Sequence, residues 1–106
     1  MRVNPGEVWL ADLGMAAKTR PVIVVSRYDS NPPRDIVIYV PCTTQDRGSR
    51  YEVNLSELSF LREGGVANVQ GLGSIPTRRL EKKLGVAPDA LMAKIRDAIR
   101  FTLDLV

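Results

Sequence analysis

The chain contains no histidine. That absence excludes imidazole acid–base catalysis and histidine metal ligands. One cysteine, Cys42, excludes an internal disulfide and suits a reducing compartment. A lone cysteine without histidine is a poor basis for a zinc or copper site. The acidic residues are scattered, with no DxD-like run to gather magnesium, so no metal or other cofactor is expected. Aromatic residues are only 6% of the chain, and Trp9 reads as core rather than as a base-stacking platform. No apolar stretch approaches the ~18 residues of a membrane span. The N-terminus carries charge early and lacks a signal-peptide apolar region. A cytoplasmic protein with no membrane partner is expected.

What is present fits a soluble globular domain. Apolar residues are 44% and charged residues 25%, and the length of 106 residues suits one domain, 1–106. Fifteen Lys and Arg against twelve Asp and Glu leave a net charge of +3. This mild excess permits an anionic partner without demanding one.

The first two-thirds read as short strands and turns. Residues 7–13 follow a Pro5-Gly6 turn signal, and residues 21–26 are β-branched with proline at the entry, where no ladder donor is lost. Residues 36–41 are apolar on both faces and read as a central strand. Residues 51–55, 66–70 and 74–76 complete the strands, with a bulge or bend expected at Gly71 and Gly73. Leu80 to Leu84 reads as one helical turn ended by Gly85. Beyond Pro88, Leu91, Ile95, Ala98, Ile99, Thr102 and Leu103 mark one face of a helix. The pattern predicts a mainly β fold with a C-terminal helix, a small curved barrel covered at one opening by that helix. Self-association would add burial that so short a chain lacks.

Candidate chemistry sits at strand ends. In Thr19-Arg20-Pro21, proline biases Arg20 toward an extended conformation, presenting a planar, permanently charged donor suited to phosphate. The tripeptide alone favours a solvated strand-end charge. Pro41-Cys42-Thr43-Thr44-Gln45 ends the third strand in small polar groups. Adjacent threonines on a strand point to opposite faces, so only one is expected beside Arg20. Cys42 reads as a small buried hydrophobe, since no base is present to activate it. Arg78, Arg79, Lys82 and Lys83 form the densest basic cluster, read with equal weight as a phosphate contact or a solvated helix face.

In order, Gly6-Glu7-Val8-Trp9-Leu10-Ala11-Asp12-Leu13, Arg20-Pro21-Val22-Ile23-Val24-Val25-Ser26, Pro41-Cys42-Thr43-Thr44-Gln45, Val66-Ala67-Asn68-Val69 and Ser74-Ile75 resemble the MazF/PemK family of toxin endoribonucleases of type II toxin–antitoxin systems. The resemblance spans nearly the whole chain. It implies an SH3-like barrel, a homodimer, and metal-independent cleavage of single-stranded RNA at a short sequence. It also implies a cognate antitoxin as partner. The family's catalytic arginine falls on Arg20 and its catalytic threonine on Thr43, with Thr44 as the fallback. Lys18, Thr19, Thr44, Gln45, Gln70 and Arg78 are the implied RNA-binding residues. The implied chemistry uses the 2′-hydroxyl of RNA as nucleophile, leaving a 2′,3′-cyclic phosphate and a 5′-hydroxyl. Two departures stand out. Only residues 14–19 separate Leu13 from Arg20, where many members have a longer loop, and Gly73 stands where the family often has an arginine. Two alternatives remain at this point: a gyrase-inhibiting toxin on the same barrel, and a catalytically weak RNA-binding member.

Overall fold

A computed structural model of the chain describes residues 1–14 and 19–106. Among the described residues, seven strands, all antiparallel, are followed by one α-helix. They are β1 (Glu7–Asp12), β2 (Thr19–Val24), β3 (Ile36–Thr43), β4 (Glu52–Asn54), β5 (Val66–Asn68), β6 (Gly73–Pro76) and β7 (Leu80–Val86), then α1 (Asp89–Thr102). Strand order is β4-β5-β3-β2-β1-β7, with β6 also paired to β3. As its two-sided apolar pattern predicts, β3 is central. β2 lies along one edge, and β6 then β5 share the other. Pro41, which has no N–H to donate, falls in the gap between the β6 and β5 pairings.

Because side chains alternate across a strand, the sheet buries both faces. On one face Val8, Ile23, Val40 and Cys42 pack with Leu55, Leu58, Leu61 and the helix residues Leu91, Met92, Ile95 and Ala98. On the other, Ala11, Val22, Val24, Val37, Ile75 and Leu80 form a second core, edged by Trp9, Leu13 and Tyr39. The helix presents Leu91, Ile95 and Ala98 of its predicted stripe, together with Met92, to the first core, against β4 and the 3-10 turn Val69–Gly71, whereas Leu103 lies past the helix end and is exposed.

Three expectations are revised. The architecture is the predicted one, mainly β with a C-terminal helix, but among the described residues no ladder joins β4 to β7, so the barrel-like sheet stays open. The bulges lie in the β1–β7 pairing, between Val8 and Trp9 and between Leu10 and Ala11. At Gly71 the chain is in a 3-10 turn against the Pro41 ring, and Gly73 pairs in regular register with Tyr39. Finally, Leu80–Leu84 is strand, not helical turn. Leu80, Lys82 and Lys83 pair with Ala11, Leu10 and Trp9, and these tertiary ladder bonds override the helix-favouring composition of Leu-Glu-Lys-Lys-Leu. Gly85 then admits the Phe60 ring, whose nearest carbon would lie 2.5 Å from any Cβ placed there.

Candidate active-site cleft

Two polar clusters occupy opposite ends of the β1–β2 ladder. At one end Glu7 is buried, with 6% exposure. Its Oε1 accepts from Trp9 Nε1 at 3.0 Å, and its Oε2 accepts from Asn4 Nδ2 at 3.2 Å and from Lys83 Nζ at 3.4 Å. Burial alone would raise this carboxyl. The Trp9 and Asn4 hydrogen bonds and the Lys83 charge outweigh it and hold Glu7 below the usual carboxylate range. The cluster is self-satisfied, and Lys83 of the basic run is committed to it.

At the other end the groups are unspent. The β2–β3 ladder runs as far as the Val22–Pro41 pair, and beyond it Arg20 on β2 and Thr43 on β3 lie at the same end of the sheet. Both line one cleft of about 400 Å³, together with Thr19, Pro21, Cys42, Thr44, Phe60, Leu61, Arg62, Glu63, Gly64 and Leu84. Arg20 is exposed, and no carboxylate among the described residues lies within ion-pair distance of it. Thr43 Oγ1 accepts from the Gln45 backbone N–H at 3.2 Å, which orients the hydroxyl and leaves its own hydrogen to donate. Both donors thus belong to one open cleft, and among the described residues neither has an internal acceptor.

Thr44 also lines this cleft, against the expectation that neighbouring threonines would diverge. The strand ends at Thr43, so the alternation stops there. Cys42 reaches the cleft edge but is 94% enclosed, and burial pushes its thiol up to about 12, so it stays protonated and inert.

Of the other residues implied in RNA binding, Thr19 lines the cleft, while Gln45, Gln70 and Arg78 are exposed outside its lining. The Gln45 side-chain Oε1 accepts from Arg47 Nη2 at 3.1 Å. Lys18 lies outside the described residues. Lys82 and Lys83 sit on a strand, not on a helix face. The sequence reading missed Phe60, Arg62 and Glu63. They come from a strap over residues 55–65, and the charged pair just before Gly64-Gly65 was the available signal, since loop tips on a rigid scaffold often carry function.

Fold and cleft together define a small antiparallel β protein with a cation-bearing groove at its strand ends, suited to an anionic ligand. The family model for the PemK-like, MazF-like toxin of type II toxin-antitoxin system matches residues 4–103, and the chain belongs to this family. It is 31% identical over 100 residues, 93% of this chain and 91% of the other, to a probable endoribonuclease MazF5 of Mycobacterium tuberculosis (strain ATCC 25618 / H37Rv). Among solved structures, an endoribonuclease in complex with its cognate antitoxin from Mycobacterial species superposes with a TM-score of 0.85 at 27% identity, covering 98% of this chain and 97% of that one. The Mycobacterium tuberculosis toxin MazF-mt6 gives 0.83 at 26% identity, covering 94% and 98%.

Proposed function

We propose that the protein is the toxin of a type II toxin–antitoxin system and a metal-independent, sequence-specific endoribonuclease for single-stranded RNA. One observation carries the reading: Arg20 at the start of β2 and Thr43 at the end of β3 line the same solvent-open cleft. RNA brings its own nucleophile, so the protein must align the 2′-hydroxyl, hold the phosphate and stabilise charge as the 5′-oxygen leaves. The Arg20 guanidinium is a planar, permanent cation that spans two phosphate oxygens. The Thr43 hydroxyl, oriented by the Gln45 N–H, donates to a non-bridging oxygen whose charge grows in the transition state. Thr19 and Thr44 line the same groove and contact the strand, and the exposed Gln45, Gln70 and Arg78 are assigned further contacts to it; Lys18, also assigned to RNA binding, lies outside the described residues.

In this reading residues 1–106 act as one domain in the cytoplasm. No helix among the described residues is long and apolar enough to cross a membrane. The partners are single-stranded RNA and a cognate antitoxin, in keeping with the antitoxin-bound relative. Self-association into a homodimer would cover exposed apolar residues such as Ile36, Ile38, Val86 and Leu103.

The test is incubation of the protein with a long single-stranded RNA in EDTA, followed by end mapping. Discrete 5′-hydroxyl and 2′,3′-cyclic phosphate ends that disappear in Arg20→Ala and Thr43→Ala are expected. Intact RNA of varied sequence, alongside gyrase inhibition, would replace this reading with that of a gyrase-poisoning toxin.

A further inference from the structure

We infer that Glu63 is the general base of the cleavage step, taking the proton from the attacking 2′-hydroxyl. The inference rests on the endonuclease reading above and adds the group that reading lacks. A 2′-hydroxyl is a weak acid, and a positioned base in the transition state typically contributes about 10²- to 10⁴-fold. Arg20 and Arg62 are permanent cations, and threonine hydroxyls do not accept protons at neutral pH. The Cys42 thiol is enclosed and held protonated. Among the described residues, Glu63 is the one carboxylate lining the cleft. Residues 15–18, Met-Ala-Ala-Lys, contain no carboxylate either.

The position of Glu63 is built by the backbone. Leu55, Leu58 and Leu61 anchor the strap in the core at three-residue spacing. Successive turns close it: Leu58 N–H donates to the Leu55 carbonyl at 3.0 Å, Leu61 to Leu58 at 3.1 Å, and Gly64 to Leu61 at 3.1 Å. Leu55 N–H then donates to the Gly65 carbonyl at 2.9 Å, joining the strap's two ends. Gly65 has a φ of +93°, and any Cβ there would strike the Thr43 carbonyl. This glycine lets the strap lie directly on Thr43, and the next residue, Val66, pairs with Thr43 in the β3–β5 ladder. Glu63 is thereby held at the cleft beside the threonine, with Arg20 and Arg62 as the charged neighbours that share the lining.

The step balances as follows. The 2′-O–H proton passes to the Glu63 carboxylate, and the 2′-oxygen forms a bond to phosphorus. The P–O5′ bond breaks, its electron pair leaves on the 5′-oxygen, and water protonates that oxygen. Glu63 then returns its proton to solvent.

The experiment measures single-turnover cleavage of an end-labelled single-stranded RNA against pH, in EDTA, with full-length protein. It also measures Kd for the same oligonucleotide carrying 2′-deoxyribose at the cut site, which binds without reacting. Expected for Glu63→Gln is a rate about 10²- to 10³-fold lower, loss of the acid limb of the pH profile, and unchanged Kd and Tm. Glu63→Asp should recover part of the rate together with the acid limb. Glu57→Gln, on the same strap but outside the cleft, should match wild type. Wild-type rate and pH profile in Glu63→Gln, a defect carried wholly by Kd, or a rate loss with the acid limb intact would each overturn the assignment. If wild type cleaves and Arg20→Ala does not, such a result removes Glu63 alone. Wild type that cleaves no RNA removes the endonuclease reading and this inference with it.

Discussion

The two ends of the β1–β2 ladder handle charge in opposite ways. At the Glu7 end a buried carboxylate is enclosed by Trp9, Asn4 and Lys83, and every strong group has a partner. At the Arg20 end the guanidinium and the Thr43 hydroxyl face an open cleft without internal acceptors among the described residues. The difference follows from solvent. A buried charge left unpaired costs several kcal/mol, so the fold must supply its partners. An exposed one is hydrated and can wait for a ligand. Polar groups that satisfy one another report on stability, and those left unspent in a groove report on function.

That contrast is open to mutation. The largest expected effect is Arg20→Ala, with cleavage falling about 10³-fold, roughly 4 kcal/mol of transition-state stabilisation. Its unfolding free energy should move by no more than about 0.5 kcal/mol, as single-turnover kinetics and urea titration would show. Unfolding of the same size as the activity loss would erase the distinction between the two ends. Thr43→Ala should slow cleavage about 10²-fold, near 2.7 kcal/mol, with Thr43→Ser restoring most of it. Full activity in Thr43→Ala and none in Thr44→Ala would move the role one residue on.

The Glu7 end should respond in the other currency. Glu7→Gln keeps the shape but turns one accepting oxygen into a donor facing Asn4 and Lys83, at a cost of about 1–3 kcal/mol of stability with cleavage unchanged. The sign with pH follows from the lowered carboxyl. Its stabilisation is fully present above the unfolded value of 4.5 and is lost as pH falls through the lower folded value. Urea midpoints for wild type should therefore drop on acidification below about 4.5, and Glu7→Gln should flatten that decline. Lys83→Met should cost the least, under about 1 kcal/mol, because the ammonium is half-exposed and its pair is partly screened. A Lys83→Met variant that loses cleavage while staying folded would place that lysine in the RNA path after all.

Much of the fold was legible because β-branched runs and a 3.6-residue stripe are local signals. β2, β3 and α1 lie within a few residues of where their patterns put them. Leu80–Val86 was not legible. A Leu-Glu-Lys-Lys-Leu segment favours helix locally, and pairing with the β1 edge overrode that preference. Arg20 and Thr43 were readable as candidates from the proline after one and the strand end at the other. Glu63 had only the charged pair before Gly64-Gly65 to mark it, and no local pattern ties residue 63 to residue 43.

By itself the sequence determined the family, the missing imidazole, the strand-rich order with one terminal helix, and the two donors worth watching. These are properties of composition, local periodicity and ordered motifs. Only the tertiary structure decided which polar groups are spent and which are free. It committed Lys83 to Glu7, brought Arg20 and Thr43 to one cleft and laid the Glu63 strap on Thr43 at its edge. Partnering is a matter of distance across ladders and loops, and distance between residues remote in sequence exists only once the chain has closed on itself.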